Sequence, residues 1–229
     1  MKALFLKRPF DIALSGAGVL LSSPLWLLFA CLIKLTDRGP VFYKQDRVGR
    51  NGRIFKAMKF RSMIVDAEKD HGPVQAVEHD PRVTKIGRIL RATAMDELPQ
   101  LLNIFKGDMS FVGPRALRPK EKEVHGDPDT REIEDIPGYR ERHAVRPGLT
   151  GLTQVYLPGD TPRRRKFRYD LLYVRKMSFW LDIGTDLSLL FGNENLQPLF
   201  GQEIGGVQAA RPAANDGHIK SVHIPRISL

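Results

Sequence analysis

Residues 12 to 33, IALSGAGVLLSSPLWLLFACLI, run for 22 positions without an ionisable side chain. As a helix, such a run is long enough to cross a hydrocarbon core of about 30 Å. A chain of 229 residues that gives this stretch to lipid keeps enough length for one further substantial core. A secretory leader is the competing reading, but the run lacks a small-residue cleavage site, exceeds the usual apolar length, and passes straight into KLTDRGP. Lys2, Lys7 and Arg8 precede it and Lys34, Arg38, Lys44, Arg47 and Arg50 follow it, so both flanks carry the cations that stay in the cytoplasm. At its centre stands Ser22-Ser23-Pro24. Proline removes a backbone donor and crowds the preceding turn, and the adjacent hydroxyls can satisfy the freed carbonyls, so a bend is expected at Ser23 and Pro24. A bent hairpin that re-enters the same face and a kinked single-pass anchor both fit. The matching flanks favour the hairpin.

A formal charge of +10 calls for an anionic partner: nucleic acid, lipid headgroups or a phosphorylated substrate. No ribonucleoprotein, KH or zinc-finger signature supports the first, so nucleic acid is not expected. Cys31 is the only cysteine, which excludes an intramolecular disulfide.

Beyond residue 35 the chain is polar and basic, with short elements. GPVFYKQDRVG and RIFKAMKFRSM alternate apolar and polar residues around the GRNG turn of residues 49 to 52, the pattern of a β-hairpin. The polar stretch 68 to 83 contains two prolines and reads as a loop. VTKIGRILRATAMDE, residues 83 to 97, predicts a short basic helix. Leu98, Leu101, Leu102 and Phe105 then repeat at the spacing of an amphipathic helix whose first turn holds Pro99.

That spacing places Asp96 and Glu97 at a helix N-terminus, where the dipole favours negative charge and keeps a carboxylate pKa low. Alone, the pair reads as an N-cap and a first-turn acid. Its surroundings add more. A basic helix precedes it, and GDMSFVGPRALRPKEK follows, with Arg115 on a Gly-Pro turn. Adjacent carboxylates among arginines and lysines beside a membrane suit phosphoryl chemistry, with a divalent cation bridging acid and phosphate and guanidinium groups holding charged oxygens. Asp96 can then attack phosphorus directly.

In order along the chain, KRPFDI, the Ser-Pro bend, GPVFYKQDRVGRNG, KFRSM, DPRVTKIGRILRATAMDELPQLLNIFKGDMSFVGPR, RPGLTGLTQV and YDLLYVRKMSFWLDI resemble the bacterial sugar transferases, the monotopic phosphoglycosyl transferases. The resemblance implies an α+β, mostly helical fold. A re-entrant membrane hairpin would occupy residues 1–38, a small cytoplasmic catalytic domain 39–191 with amphipathic helices at the interface, and a C-terminal tail 192–229. It implies transfer of sugar-1-phosphate from a nucleoside diphosphate sugar, typically UDP-linked, to polyprenyl phosphate, with release of UMP and a requirement for Mg²⁺. Asp96 would be the nucleophile and a metal ligand, through a covalent phosphosugar intermediate, and Glu97 its dyad partner. Lys59, Arg61, Arg91, Arg115 and Arg146 are candidates for holding the phosphates. The location implied is the cytoplasmic face of the bacterial inner membrane, among its lipids. A basic membrane-anchored binding or assembly protein without catalysis is the alternative reading.

Two motifs depart from the family pattern. Its Pro-Arg-Pro reads Pro114-Arg115-Ala116, and its Gly-Trp-Ala-Gln reads Gly151-Leu152-Thr153-Gln154. The span 167 to 191 carries Tyr173 and Trp180 and predicts one or two helices, either at headgroup level or in the core, with Asp170 and Asp186 as caps or surface acids. Arg163, Arg164, Arg165, Lys166 and Arg168 suit an anionic surface. Past residue 191 periodicity is lost until HIKSVHIPRISL, which could add an edge strand or reach a second copy of the chain in a homo-oligomer; His218 and His223 are read as surface residues.

Overall fold

The computed structural model describes residues 4–67, 80–121, 132–159 and 161–191. The element order is α1 (Leu4–Asp37), β1 (Phe42–Val48), β2 (Ile54–Phe60), α2 (Lys85–Ala92), α3 (Gln100–Lys106), β3 (Ser110–Val112), α4 (Tyr139–Arg142), β4 (Gly148–Thr150), α5 (Leu152–Tyr156), α6 (Arg163–Lys176) and α7 (Phe179–Phe191), with short 3-10 turns between. The fold is α+β. Most of the loop expected at 68–83 and the whole of 192–229, with its expected strand and both histidines, lie outside the described residues.

The 34 residues of α1 are one helix that runs through both Pro9 and Pro24. Pro24 cannot donate to the Leu20 carbonyl, and the Ser23 hydroxyl donates to it instead at 2.8 Å, while Ser22 Oγ donates to Gly18 O at 2.6 Å. The Ser23 hydroxyl thus satisfies the carbonyl that Pro24 orphans, and the helix runs on through the position where a bend was expected.

One stripe of α1 packs on the rest of the chain along almost its whole length. Arg8 donates to Ile104 O and Phe105 O, and Asp11 accepts from Ser110 Oγ and the Phe111 amide. Val19 joins the cluster of Leu101, Ile104 and Met109, and Trp26, Phe29 and Ile33 join that of Phe60 and Leu90. Asp37 closes the stripe in an ion pair with Arg61. These positions are spaced by three, four, seven or eight residues, one or two helical turns, and so share one face. The opposite face is apolar and bare, with Leu20, Leu21 and Leu27 at 75, 82 and 70% exposure.

β1 and β2 pair antiparallel with Val48 opposite Ile54 and Tyr43 opposite Lys59, the expected hairpin. Its turn is a 3-10 turn in which Asn51 and Gly52 take positive φ. The basic helix is shorter than its sequence suggests. It starts behind the Thr84 cap and stops at Ala92, because Ala94 adopts the left-handed conformation at φ 54°. Asp96 and Glu97 therefore sit in a separate 3-10 turn, Met95–Glu97, and α3 begins only after Pro99. Within α3, Leu101 and Ile104 are buried while Phe105 is 48% exposed, so the apolar face is shifted from the one the leucine spacing suggests.

β3 and β4 pair in parallel, Ser110 with Gly148 and Val112 with Thr150. This joins the Gly-Pro-Arg turn to the Arg-Pro-Gly-Leu-Thr segment. The backbones approach so closely that a Cβ on Gly148 would lie 2.1 Å from the Gly113 nitrogen. Behind this pair, Val112 and Leu152 pack with Tyr169, Tyr173 and Leu181 of α6 and α7.

Candidate active site

β2 presents Phe55, Ala57 and Lys59 on one face, because successive strand residues alternate sides. The end of that face holding Ala57 and Lys59 borders a cleft that Arg47, Glu97, Gln100, Arg115 and Gln154 also line. Lys59 Nζ is 2.5 Å from Glu97 Oε1, both half-buried. Glu97 is therefore fixed as the partner of the β2 lysine. Asp96, one residue earlier in the 3-10 turn, is buried at 8% exposure, and its carboxylate accepts no hydrogen bond from another described side chain. Burial pushes its pKa up; the Lys59 charge opposes this, Glu97 adds to it, and Arg91 opposes it again. The expected low pKa is thus corrected. The dyad does not begin a long helix whose dipole could hold the acid ionised, and desolvation dominates instead.

Arg91 belongs to this neighbourhood, with its Nε donating to Ser62 Oγ at 2.8 Å. Arg115 sits on the strand-to-turn junction after β3, its main chain bridged to Gly148. The main chain around it is clamped: Arg142 Nη2 donates to Arg115 O at 2.7 Å, Arg47 Nη1 to Ala116 O at 2.9 Å, and the Val48 amide to Leu117 O at 2.9 Å. Arg142 is itself wholly buried, in an ion pair with Asp170 at 2.8 Å and over the Phe167 ring. Asp170 is thus a buried partner rather than a cap, and Asp186 accepts from Thr150 Oγ1 at 2.8 Å.

Lys59, Glu97 and Arg115 thus share one cleft, with Asp96 and Arg91 beside it. Two candidates stand apart. Arg61 is buried against Asp37 at the end of α1, and Arg146 donates to Gly107 O and lines a different cavity. Ser23 and Pro24 lie mid-helix in α1. Arg47, Gln100 and Gln154 were not singled out from sequence. Arg47 was within reach of it, since the GRNG turn sets Arg47 opposite Phe55 and so on the same face as Lys59. Burial and the nearby Arg118 and Arg115 charges pull the Arg47 pKa down to about 10. The cleft therefore holds positive charge in excess of its carboxylates.

Among the described residues no cluster of three or more His, Cys, Asp or Glu side chains could enclose a metal ion. Mg²⁺ does not need one, since it is commonly held by one or two carboxylates completed by substrate phosphates and water. The dyad offers that donor set.

The family model described as bacterial sugar transferase matches residues 2–190. The chain belongs to this family. It is 45% identical over 194 residues to the exopolysaccharide production protein PSS of Rhizobium leguminosarum bv. phaseoli, an alignment covering 82% of this chain and 93% of that one. It is 43% identical over 182 residues to the UDP-N-acetylgalactosamine-undecaprenyl-phosphate N-acetylgalactosaminephosphotransferase of Aeromonas hydrophila, covering 78% of this chain and 41% of the relative. It is also 43% identical over 182 residues to the UDP-glucose:undecaprenyl-phosphate glucose-1-phosphate transferase of Klebsiella pneumoniae, covering 77% and 37%. The chain spans about two-fifths of the length of these last two sugar transferases.

Proposed function

We propose that this sugar transferase moves a sugar-1-phosphate from a UDP-sugar to undecaprenyl phosphate, releasing UMP and opening the assembly of a polysaccharide. The observation that carries the reading is the buried, desolvated Asp96 beside Lys59, Glu97 and Arg91, next to a cleft lined by Arg47 and Arg115. A carboxylate stripped of water but flanked by cations is a competent nucleophile, and the arginines complement the charge that builds on phosphate oxygens. An Asp96 carboxylate oxygen attacks the sugar-bearing phosphorus of the donor, the bond to the bridging oxygen breaks, and UMP leaves. A phosphate oxygen of the acceptor then attacks the same phosphorus, which frees Asp96 and forms the lipid diphosphate sugar. Glu97 holds Lys59 in place at the phosphates. Asp96 would hold Mg²⁺ together with the donor's diphosphate, and the ion when bound would neutralise charge on the leaving group.

The enzyme works at the cytoplasmic face of the inner membrane, with α1 as a re-entrant anchor. This reading is supported by the docking of both ends of α1 on one body: Lys7 bonds Asp182 and Val112 O, and Asp37 pairs with Arg61. A helix crossing the bilayer would carry its ends to opposite surfaces. The bare apolar face is left for lipid.

The test is UMP release by full-length protein in detergent, with Mg²⁺, polyprenyl phosphate and a panel of UDP-sugars, together with trapping of a phosphosugar adduct from labelled donor. One active sugar and an adduct on Asp96 that disappears in Asp96→Asn are expected. UMP release by Asp96→Asn at the wild-type rate would overturn the assigned nucleophile.

A further inference from the structure

A second cavity, of about 450 Å³, opens on the same face of the β1–β2 hairpin nearer its turn, lined by Arg50, Arg53, Phe55, Gly107, Asp108 and Arg146. Phe55 stands four residues before Lys59, about 13 Å along an extended strand, so one phosphate group cannot engage both ends. Three guanidinium groups face one carboxylate here, and that of Asp108 is already shared with Asn103 Nδ2 at 3.3 Å. Arg50 and Arg146 are anchored by main-chain carbonyls through Nε, to Ala144 O at 3.1 Å and Gly107 O at 2.8 Å. Their outer nitrogens have no partner among the described residues and are not sealed from solvent. The arrangement crowds like charges: Arg146 is held below its ordinary pKa by burial and then by Arg8 and Arg50. Arginines fixed through Nε with their remaining donors free offer the fork geometry that suits phosphate oxygens.

The rim places the cavity beside the lipid-facing surface. Arg8 Nη2 would lie 3.1 Å from a Cβ on Gly107, and the neighbouring Phe105 and Phe5 are exposed at 48 and 77%. We propose that Arg50, Arg53 and Arg146 form a phosphate-binding site separate from the dyad cleft, open both to the phosphate of a lipid headgroup and to a soluble phosphate ester. The site is independent of the reaction assigned to Asp96, since none of its side chains borders the dyad cleft.

Full-length protein in neutral detergent, titrated calorimetrically with inorganic phosphate and with short-chain phosphatidylglycerol, tests the assignment. The double substitution Arg50→Gln/Arg53→Gln is expected to weaken one class of phosphate sites about tenfold or more. Arg50→Lys/Arg53→Lys keeps part of it, and Arg115→Gln, in the dyad cleft, leaves that class intact. Both arginines are exposed, so an unchanged melting temperature is expected and separates lost binding from lost folding. Phosphatidylglycerol that competes with phosphate for this class supports the site with a lipid as its source, and phosphate that is not displaced supports it with a soluble ester. Wild-type phosphate affinity and stoichiometry in Arg50→Gln/Arg53→Gln overturn the proposal.

Discussion

Burial raises the pKa of Asp96, so folding this side chain in its ionised form opposes stability. The sign follows from the shift. An acid whose native pKa lies above its unfolded value favours the fold below the unfolded pKa and loses that contribution as pH rises through the native one. At neutral pH, Asp96→Asn is therefore expected to raise the melting temperature while abolishing UMP release, as scanning calorimetry beside the enzymatic assay would show. The acid limb of kcat/KM is expected above the ordinary aspartate range. His143 behaves oppositely: burial and the adjacent Arg142 hold its pKa at about 4, so it stays neutral in the fold and contributes stability that falls as pH drops from about 6.5 to 4. Urea midpoints across that window should decline in the wild type and flatten in His143→Gln. Arg142→Met leaves Asp170 buried without its partner and is expected to cost about 3–5 kcal/mol by chemical denaturation. The dyad was legible from its position before Pro99, but its protonation was not, because burial depends on contacts far along the chain. The Arg142–Asp170 pair was hidden for the same reason, since 28 residues separate the partners.

Among the elements, the hairpin was the most readable, because alternation and the GRNG turn specify both strands and their register. β3 and β4 were not, since three residues each are too few to show a period. Their union depends on bare backbone at Gly148, where any side chain would collide with the nitrogen of Gly113. Gly148→Ala is expected to separate the Arg115 turn from the Arg146–Thr150 segment, lowering both melting temperature and UMP release, whereas alanine at the open Gly159 should leave both near wild type. α3 is short, and its C-terminal carbonyls are capped from two directions, by Arg8 and by Arg146. The first of these comes from α1, so the element that follows the dyad is finished by the long apolar N-terminal helix.

In the whole molecule the apolar run was plain in the sequence, while the stripe by which it packs was not, because nearly every residue of the run is apolar and no periodicity stands out. The contacts of Lys7 and Asp37 with the same body predict that single cysteines placed at Leu6 and Arg38, in a Cys31→Ala background, react with an impermeant reagent from the same side of sealed vesicles. Labelling from opposite sides would contradict the re-entrant reading. The docked stripe also bears on how the protein can be handled. Severing the chain near residue 39 would not release a ready-made water-soluble enzyme. It would uncover Phe60, Leu90, Leu101 and Ile104 and strip the Arg8 cap from the Ile104 and Phe105 carbonyls, much as removing a keel opens the hull it closes.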